Sequence, residues 1–284
     1  MQPLISPAST VGDKSPTHEA APAASVESRS LWRAAPSRRW LAVFTAIIIL
    51  GGWYAATRDD QNAAFLFASP QAVGEELLKM ISNGTLVRHV GVTVLEIMLG
   101  FGGGVICAFG LGYGIARSRL LEGLLGPYVV GFQAVPMIAI APILIRFFGP
   151  GIPTNAVICG LIVFFPMLVS TMVGMRSIDP DLHALMRSLT ATRWQMFTKL
   201  EFPGALPVLF GGLKVSATLA VVGAVVGEAF ASQAGLGFLI YSSRYVYNAA
   251  GVLVAVFTLT LLALGLYEIV ARIERRALAW RLNR

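Results

Sequence analysis

Apolar runs of bilayer-crossing length recur along this chain, at residues 40–56, 88–116, 122–147, 154–175, 207–231 and 248–271. A hydrocarbon core about 30 Å thick takes about 20 residues of α-helix to cross. It offers no water to backbone N–H and C=O groups, so such a run has to close its own hydrogen bonds as a helix. The runs therefore predict an all-α polytopic membrane protein with six transmembrane helices. Composition agrees: 56% of the residues are hydrophobic and 13% charged, against about 25% charged in ordinary soluble domains.

The charges set the expected topology. Arg29, Arg33, Arg38 and Arg39 precede the first run, and Arg117 and Arg119 follow the second. Arg176, Arg187, Arg193 and Lys199 follow the fourth; Arg272, Arg275, Arg276, Arg281 and Arg284 follow the sixth. The opposite loops hold Arg58, Lys79, Arg88 and Arg244, partly balanced by Asp59, Asp60, Glu75 and Glu76. Lys and Arg are biased toward the cytoplasm, which puts both termini on that side. The net charge of +7 is spread over the ends of apolar runs, so it points to membrane lipid and not to nucleic acid.

Residues 1–38, with their opening rich in Ala, Pro and Ser, are expected to be a disordered cytoplasmic tail, and not a signal peptide because no apolar run follows a short basic leader. Residues 39–84 hold the first span and a helix opened by Ser69 or Pro70, whose Val73, Leu77, Leu78 and Ile81 share one face as in an interfacial helix. Residues 85–272 form the core with five spans, and 273–284 a basic cytoplasmic tail. Cys107 and Cys159 sit in apolar runs as small hydrophobes. His18, His89 and His183 lack ligand spacing, so no metal site is expected, and no nucleophile–base pair marks an enzyme. Small-xxx-small pairs, Gly100/Gly104, Gly110/Gly114 and Gly223/Gly227, predict close helix packing.

Between the fourth and fifth runs, residues 176–207 break the pattern. Asp179 can cap a helix with Pro180 in its first turn, and Leu182, Leu185, Met186 and Leu189 fall on one side. Thr192 and Gln195 make a capping box for a second helix, which Pro203 and Pro207 end before the fifth span. The product is a helical hairpin with its tip at Thr190-Ala191-Thr192. It either packs on its own bundle or docks a soluble partner.

This segment resembles the cytoplasmic EAA loop of permease subunits of binding-protein-dependent ABC importers. Residues 85–280 are similar to the nitrate/sulfonate/taurine group of those permeases. The matching pieces are TVLEIMLGF, QAVPMIAIAPILIRFFGPG, IDPDLHALMRSLTATRWQMFTKLEFPGALPVLFGGLK and AVVGAVVGEAFASQAGLGFLI. TVLEIMLGF and LMRSLTATRWQMF look nearer the branch handling pyrimidine vitamin precursors or riboflavin-like molecules. The family's Glu-Ala-Ala falls at Ala184-Leu185-Met186 and its glycine at Thr190, where Thr accepts positive φ poorly.

The resemblance implies a type I ABC importer permease (MetI-like) architecture in a bacterial inner membrane. It implies a permease homodimer, two cytoplasmic ATPase subunits and a periplasmic or lipid-anchored substrate-binding protein. No cofactor is expected in this chain, which lacks GxxxxGK[ST]; ATP and Mg would belong to the ATPase. The ATPase-coupling residues would be Leu182, Ala184, Leu185, Met186, Arg187, Leu189, Thr190, Ala191, Thr192 and Trp194. The third and fifth spans would line the solute path, making Gln133, Pro136, Met137 and Glu228 its candidates; a packing kink and a buried hydrogen bond explain the same residues. Glu96 and Glu228, acids inside spans, keep open an ion-coupled secondary transporter that needs no ATPase, although no inverted repeat is evident.

Overall fold

Residues 38–58 and 68–279 are described by a computed structural model. The expected tail at 1–38, apart from Arg38, and the last five residues of the chain lie outside the described residues. By internal contacts the chain divides into Met1–Ile49 and Leu50–Arg284. The described part of the first unit is the opening of helix α1 (Arg38–Arg58), which contains the first predicted span.

In the second unit, α2 (Pro70–Ser82) starts where Ser69 accepts the Ala72 N–H at 3.3 Å. Its inward face differs from the predicted one. Val73 and Met80 are buried with Leu77 against them, whereas Leu78 and Ile81 are exposed. Residues 73, 77 and 80 follow the i, i+4, i+7 row that meets the bundle, and 78 and 81 lie beside it.

The scaffold is α3 (Thr85–Ala116), α6 (Ile152–Arg176) and α9 (Phe202–Ala231), with α6 packed between the other two. Lipid tails are as apolar as these helices, so their association rests on close packing. A Cβ on Gly100 would come within 2.6 Å of the Ala156 carbonyl oxygen, and one on Gly104 within 2.6 Å of that of Gly160. Gly223 and Gly227 meet Cys159 and Asn155 on the other side of α6 in the same way. The third predicted pair is a correction: Gly110 and Gly114 touch nothing within 4 Å, and Gly112 packs on α6 instead. Gly100, Gly104, Ala108 and Gly112 form one i+4 row, and 110 and 114 point away from it.

The third predicted span is two helices, α4 (Arg119–Gln133) and α5 (Met137–Phe148), bent by 96°. Ala134 and Val135 close tight bonds to Gly131 and Phe132, and Pro136, without an N–H, takes extended backbone. The pair has the form of a broken span or a re-entrant loop, either of which a membrane protein tolerates where neighbouring protein covers the interrupted backbone.

After α6 come α7 (Pro180–Ser188) and α8 (Arg193–Met196). A π-turn (Phe197–Glu201) then joins α8 to α9, so Arg193–Phe230 is one continuous 38-residue helix. The stop expected at Pro203 and Pro207 does not occur. The Phe202 N–H reaches back to Phe197, and this wider turn admits a proline whose ring would otherwise meet the carbonyl four residues before it.

A short loop leads from α9 to α10 (Leu236–Tyr245) and then α11 (Ala249–Ala277), which packs on α9 and α10. The boundary expected at 272 falls inside α11, where Arg272 and Arg275 hold Glu268 at 3.1 and 2.8 Å. Four described helices are long and apolar enough to cross a membrane, five if the bent pair is counted as one span. Ile106, Leu111, Phe147 and Leu261 face outward, as bilayer-exposed side chains do.

Candidate functional site

At one end of the scaffold stands the helical hairpin. Asp179 caps α7 by accepting the Asp181 N–H at 2.9 Å, with Pro180 in the first turn. Thr192 and Gln195 exchange both capping-box bonds, at 3.3 and 2.9 Å. Between the helices Thr190 takes φ 53°, the left-handed conformation that glycine adopts freely and a β-branched residue only under strain. The turn is held by the Ala191 N–H on the Met186 carbonyl at 3.0 Å. Leu182, Leu185, Leu189 and Trp194 stay exposed around it, Trp194 at 71%.

The hairpin is fastened to α3 through Glu201, which is buried at the end of the π-turn. Tyr113 donates its hydroxyl to Glu201 at 2.9 Å, Arg117 pairs with it at 3.3 Å, and His183 of α7 lies 3.6 Å away. Arg117 also sits over the Tyr113 ring at 5.1 Å. Tyr113 packs edge-on to Phe197 at 5.1 Å, and Phe109 edge-on to Phe202 at 6.0 Å. Charge-assisted hydrogen bonds of this kind contribute about 1.5–3 kcal/mol each when buried. These contacts tie the base of the hairpin to α3.

At the far end, a second buried polar group joins four elements. Glu228 of α9 accepts the Thr93 hydroxyl of α3 at 2.5 Å and the Gly237 N–H in the first turn of α10. Thr93 in turn accepts the Leu236 N–H at 2.8 Å, and His89 Nδ1 accepts the Gly235 N–H at 2.9 Å. The unpaired N–H groups of α10 are thus met by α3 and α9, and the carboxylate sits at the positive end of the helix dipole. Gly235 has φ 121°, and a side chain there would run into the Glu228 carboxyl, so glycine is required on both counts. Asn155 of α6 donates to Glu96 at 2.8 Å and to Ser232 at 2.5 Å, tying the loop before α10 to α6 and α3.

Between these ends, the α4–α5 elbow borders with α3 and α6 a half-open cavity of about 450 Å³. Aromatic and aliphatic side chains line it, among them Tyr128, Phe132, Met137, Phe164 and Phe165.

Residues 100–278 match the family model described as "Binding-protein-dependent transport system inner membrane component". The chain belongs to that family. It is a multi-pass membrane permease of an ABC importer, a transport component and not an enzyme. The permease is 37% identical over 236 residues to the riboflavin transport system permease protein RibX of Chloroflexus aurantiacus, covering 83% of this chain and 88% of the relative. It is 29% identical over 201 residues to the formylaminopyrimidine transport permease protein ThiX of Halalkalibacterium halodurans, covering 71% and 80%. Its fold matches a chain of the inward-facing MetNI methionine ABC transporter with a TM-score of 0.61 at 22% identity, over 68% of this chain and 96% of that one.

The permease gathers the predicted coupling residues into one hairpin, where Leu182, Ala184, Leu185, Arg187, Leu189, Thr190, Thr192 and Trp194 are exposed and Met186 and Ala191 half-buried. It separates the predicted path residues. Gln133 ends α4, Pro136 is in the elbow, and Met137 lines the cavity, whereas Glu228 lies in the far-end cluster at 1% exposure. Thr93, His89, Asn155 and Glu201 carry buried polar contacts that the sequence reading did not assign. A signal existed for two of them: His89 and Thr93 recur with Glu96 at i, i+4, i+7 and so mark one face of α3 as polar.

Proposed function

We propose that two copies of this permease form the solute path of an ATP-driven importer in the bacterial inner membrane. Both termini and the hairpin face the cytoplasm, where each copy is gripped by one ATPase subunit that binds ATP and Mg. A periplasmic or lipid-anchored binding protein delivers solute at the far end. The observation carrying the reading is the hairpin itself. A rigid, doubly capped tip exposes Leu182, Leu185, Leu189 and Trp194 while Glu201 fixes its base to α3. Apolar residues on a helix outside the spans call for a partner groove.

The solute is a vitamin or vitamin precursor of the flavin or pyrimidine class. The riboflavin and formylaminopyrimidine transport of the two relatives supports this, as does a cavity whose lining favours flat heterocycles over small anions, which need charged or N–H donors. The permease, its ATPase and the binding protein encoded beside it, reconstituted in proteoliposomes, should take up labelled riboflavin or formylaminopyrimidine only with ATP, and uptake should survive a protonophore. Uptake without the ATPase that collapses with the proton gradient would establish an ion-coupled carrier instead. ATP-dependent uptake of taurine alone would refute the solute class and leave the importer standing.

A further inference from the structure

The far-end cluster leaves two buried side-chain atoms without a hydrogen-bond partner, Glu96 Oε2 and Asn155 Oδ1. Glu96 and Asn155 are wholly buried. An unmet buried acceptor is destabilising, and more so if it is charged. Both atoms are acceptors, so no shift of the protein brings them into a bond with each other. Turning the Asn155 amide over does not help. The contact now made by Nδ2 on Glu96 Oε1 at 2.8 Å would then oppose two oxygens. What the cluster lacks is a hydrogen.

The neighbouring acid says where that hydrogen belongs. Thr93, one turn before Glu96 on α3, donates to Glu228, and Asn155, which donates to Glu96, packs against Gly227, so the two acids share one cluster. Glu228 already accepts on both oxygens, from Thr93 and from the Gly237 N–H, which is the pattern of the ionised form. Glu96 accepts on one oxygen only. Among the described residues no Lys or Arg pairs with either acid. Of the other ionisable groups nearby, His89 on α3 receives the Gly235 N–H on Nδ1, Arg88 lies beside it on the same helix, and the Cys159 thiol of α6 donates to the Ala220 carbonyl at 3.3 Å. None supplies a compensating cation at the carboxyls. Two adjacent like charges at this depth cannot both persist.

We propose that Glu96 Oε2 is a proton-binding site: Glu96 is held as the neutral acid and gives its one hydrogen to Asn155 Oδ1, completing the acid–amide pair whose other bond runs from Asn155 Nδ2 to Glu96 Oε1. The pair then carries one negative charge, on Glu228, where the first turn of α10 receives it. The proton is a fixed part of the cluster that ties α3, α6 and α9 together beneath α10. It is not cargo, and the site stands whether or not the solute proposed above is the right one.

Infrared spectroscopy of the full-length permease in lipid nanodiscs tests this. At neutral pH the protein should show the carbonyl stretch of a protonated carboxylic acid that moves on ¹³C-glutamate labelling and is lost in Glu96→Gln. That variant replaces the O–H donor by an amide N–H, so its melting temperature should stay at the wild-type value, while Glu96→Ala should melt several degrees lower. Absence of the band in the wild type, as when a water bridges two ionised acids, overturns the site. A band that survives Glu96→Gln but disappears in Glu228→Gln overturns its placement on Glu96. Glu96→Gln unfolding as readily as Glu96→Ala overturns the donor role.

Discussion

The hydroxyl of Thr93 ties α3 to two elements far along the chain: it donates to Glu228 of α9 at 2.5 Å, 135 residues away, and accepts the Leu236 N–H of α10 at 2.8 Å. A serine at position 93 keeps both bonds. Valine keeps the shape and loses both, leaving a buried N–H and a carboxylate oxygen short of a partner. We expect Thr93→Val to lose about 2–4 kcal/mol of stability and Thr93→Ser less than half of that. Thermal unfolding of the detergent-purified permease measures the difference, and equal melting of the two variants would contradict it.

Gly235 should be intolerant of any side chain. At φ 121° and against the Glu228 carboxyl, even alanine adds both backbone strain and a clash. Gly235→Ala is expected to cost roughly 2–4 kcal/mol. Gly102, with nothing within 4 Å of a would-be Cβ, is the control, and Gly102→Ala should be neutral or slightly stabilising. Hydrogen exchange should locate the loosening at the N-terminus of α10; an unchanged exchange pattern in Gly235→Ala would refute the assigned strain.

Glu201 is expected to transmit motion more than to create binding. In Glu201→Gln the Tyr113 contact can persist while the ion pair with Arg117 is lost. The hairpin should still recruit the ATPase, but its movement would reach α3 weakly. Uptake per ATP hydrolysed should fall by roughly 5- to 150-fold, the range of ordinary coupling energies. Proteoliposome uptake and phosphate release, measured together, decide it: a parallel fall in both would mean that docking itself was lost.

At the tip, Thr190 adopts φ 53° with a β-branched side chain. Thr190→Gly removes strain of about 1–2 kcal/mol and adds unfolded-state entropy of about 0.5–1 kcal/mol, so it should leave stability equal or up to about 1 kcal/mol higher. A melting temperature several degrees lower would show that the left-handed turn is not the conformation in the membrane.

Trp194 is 71% exposed, so its removal should barely change the permease alone. As an aromatic anchor at a partner groove it should matter there. Trp194→Ala is expected to weaken co-purification of the ATPase by about tenfold or more, equivalent to at least about 1.4 kcal/mol. Unaltered co-purification would remove Trp194 from the docking face.

The elements that local chemistry specifies were legible in the chain. Span positions followed from hydropathy, and the Asp179 and Thr192 caps followed from side chains that bond within three residues. The hairpin was found as a site for the same reason. Glu201 lies in the same stretch of sequence, yet its partners Tyr113 and Arg117 lie 88 and 84 residues earlier, so no window along the chain contains them. The elbow at Pro136 was expected only as a bend within one span, because a proline announces a lost hydrogen bond but not how far the chain will turn.

Sequence alone determined that this protein is a set of lipid-crossing helices with one amphipathic hairpin between two of them, since the bilayer forbids unpaired backbone and caps act at short range. Tertiary structure decided which glycines face α6, that the π-turn carries the chain past Pro203, and that Glu228 serves the N-terminus of α10. These depend on the rotation of one helix against another, and packing across distant segments fixes that angle.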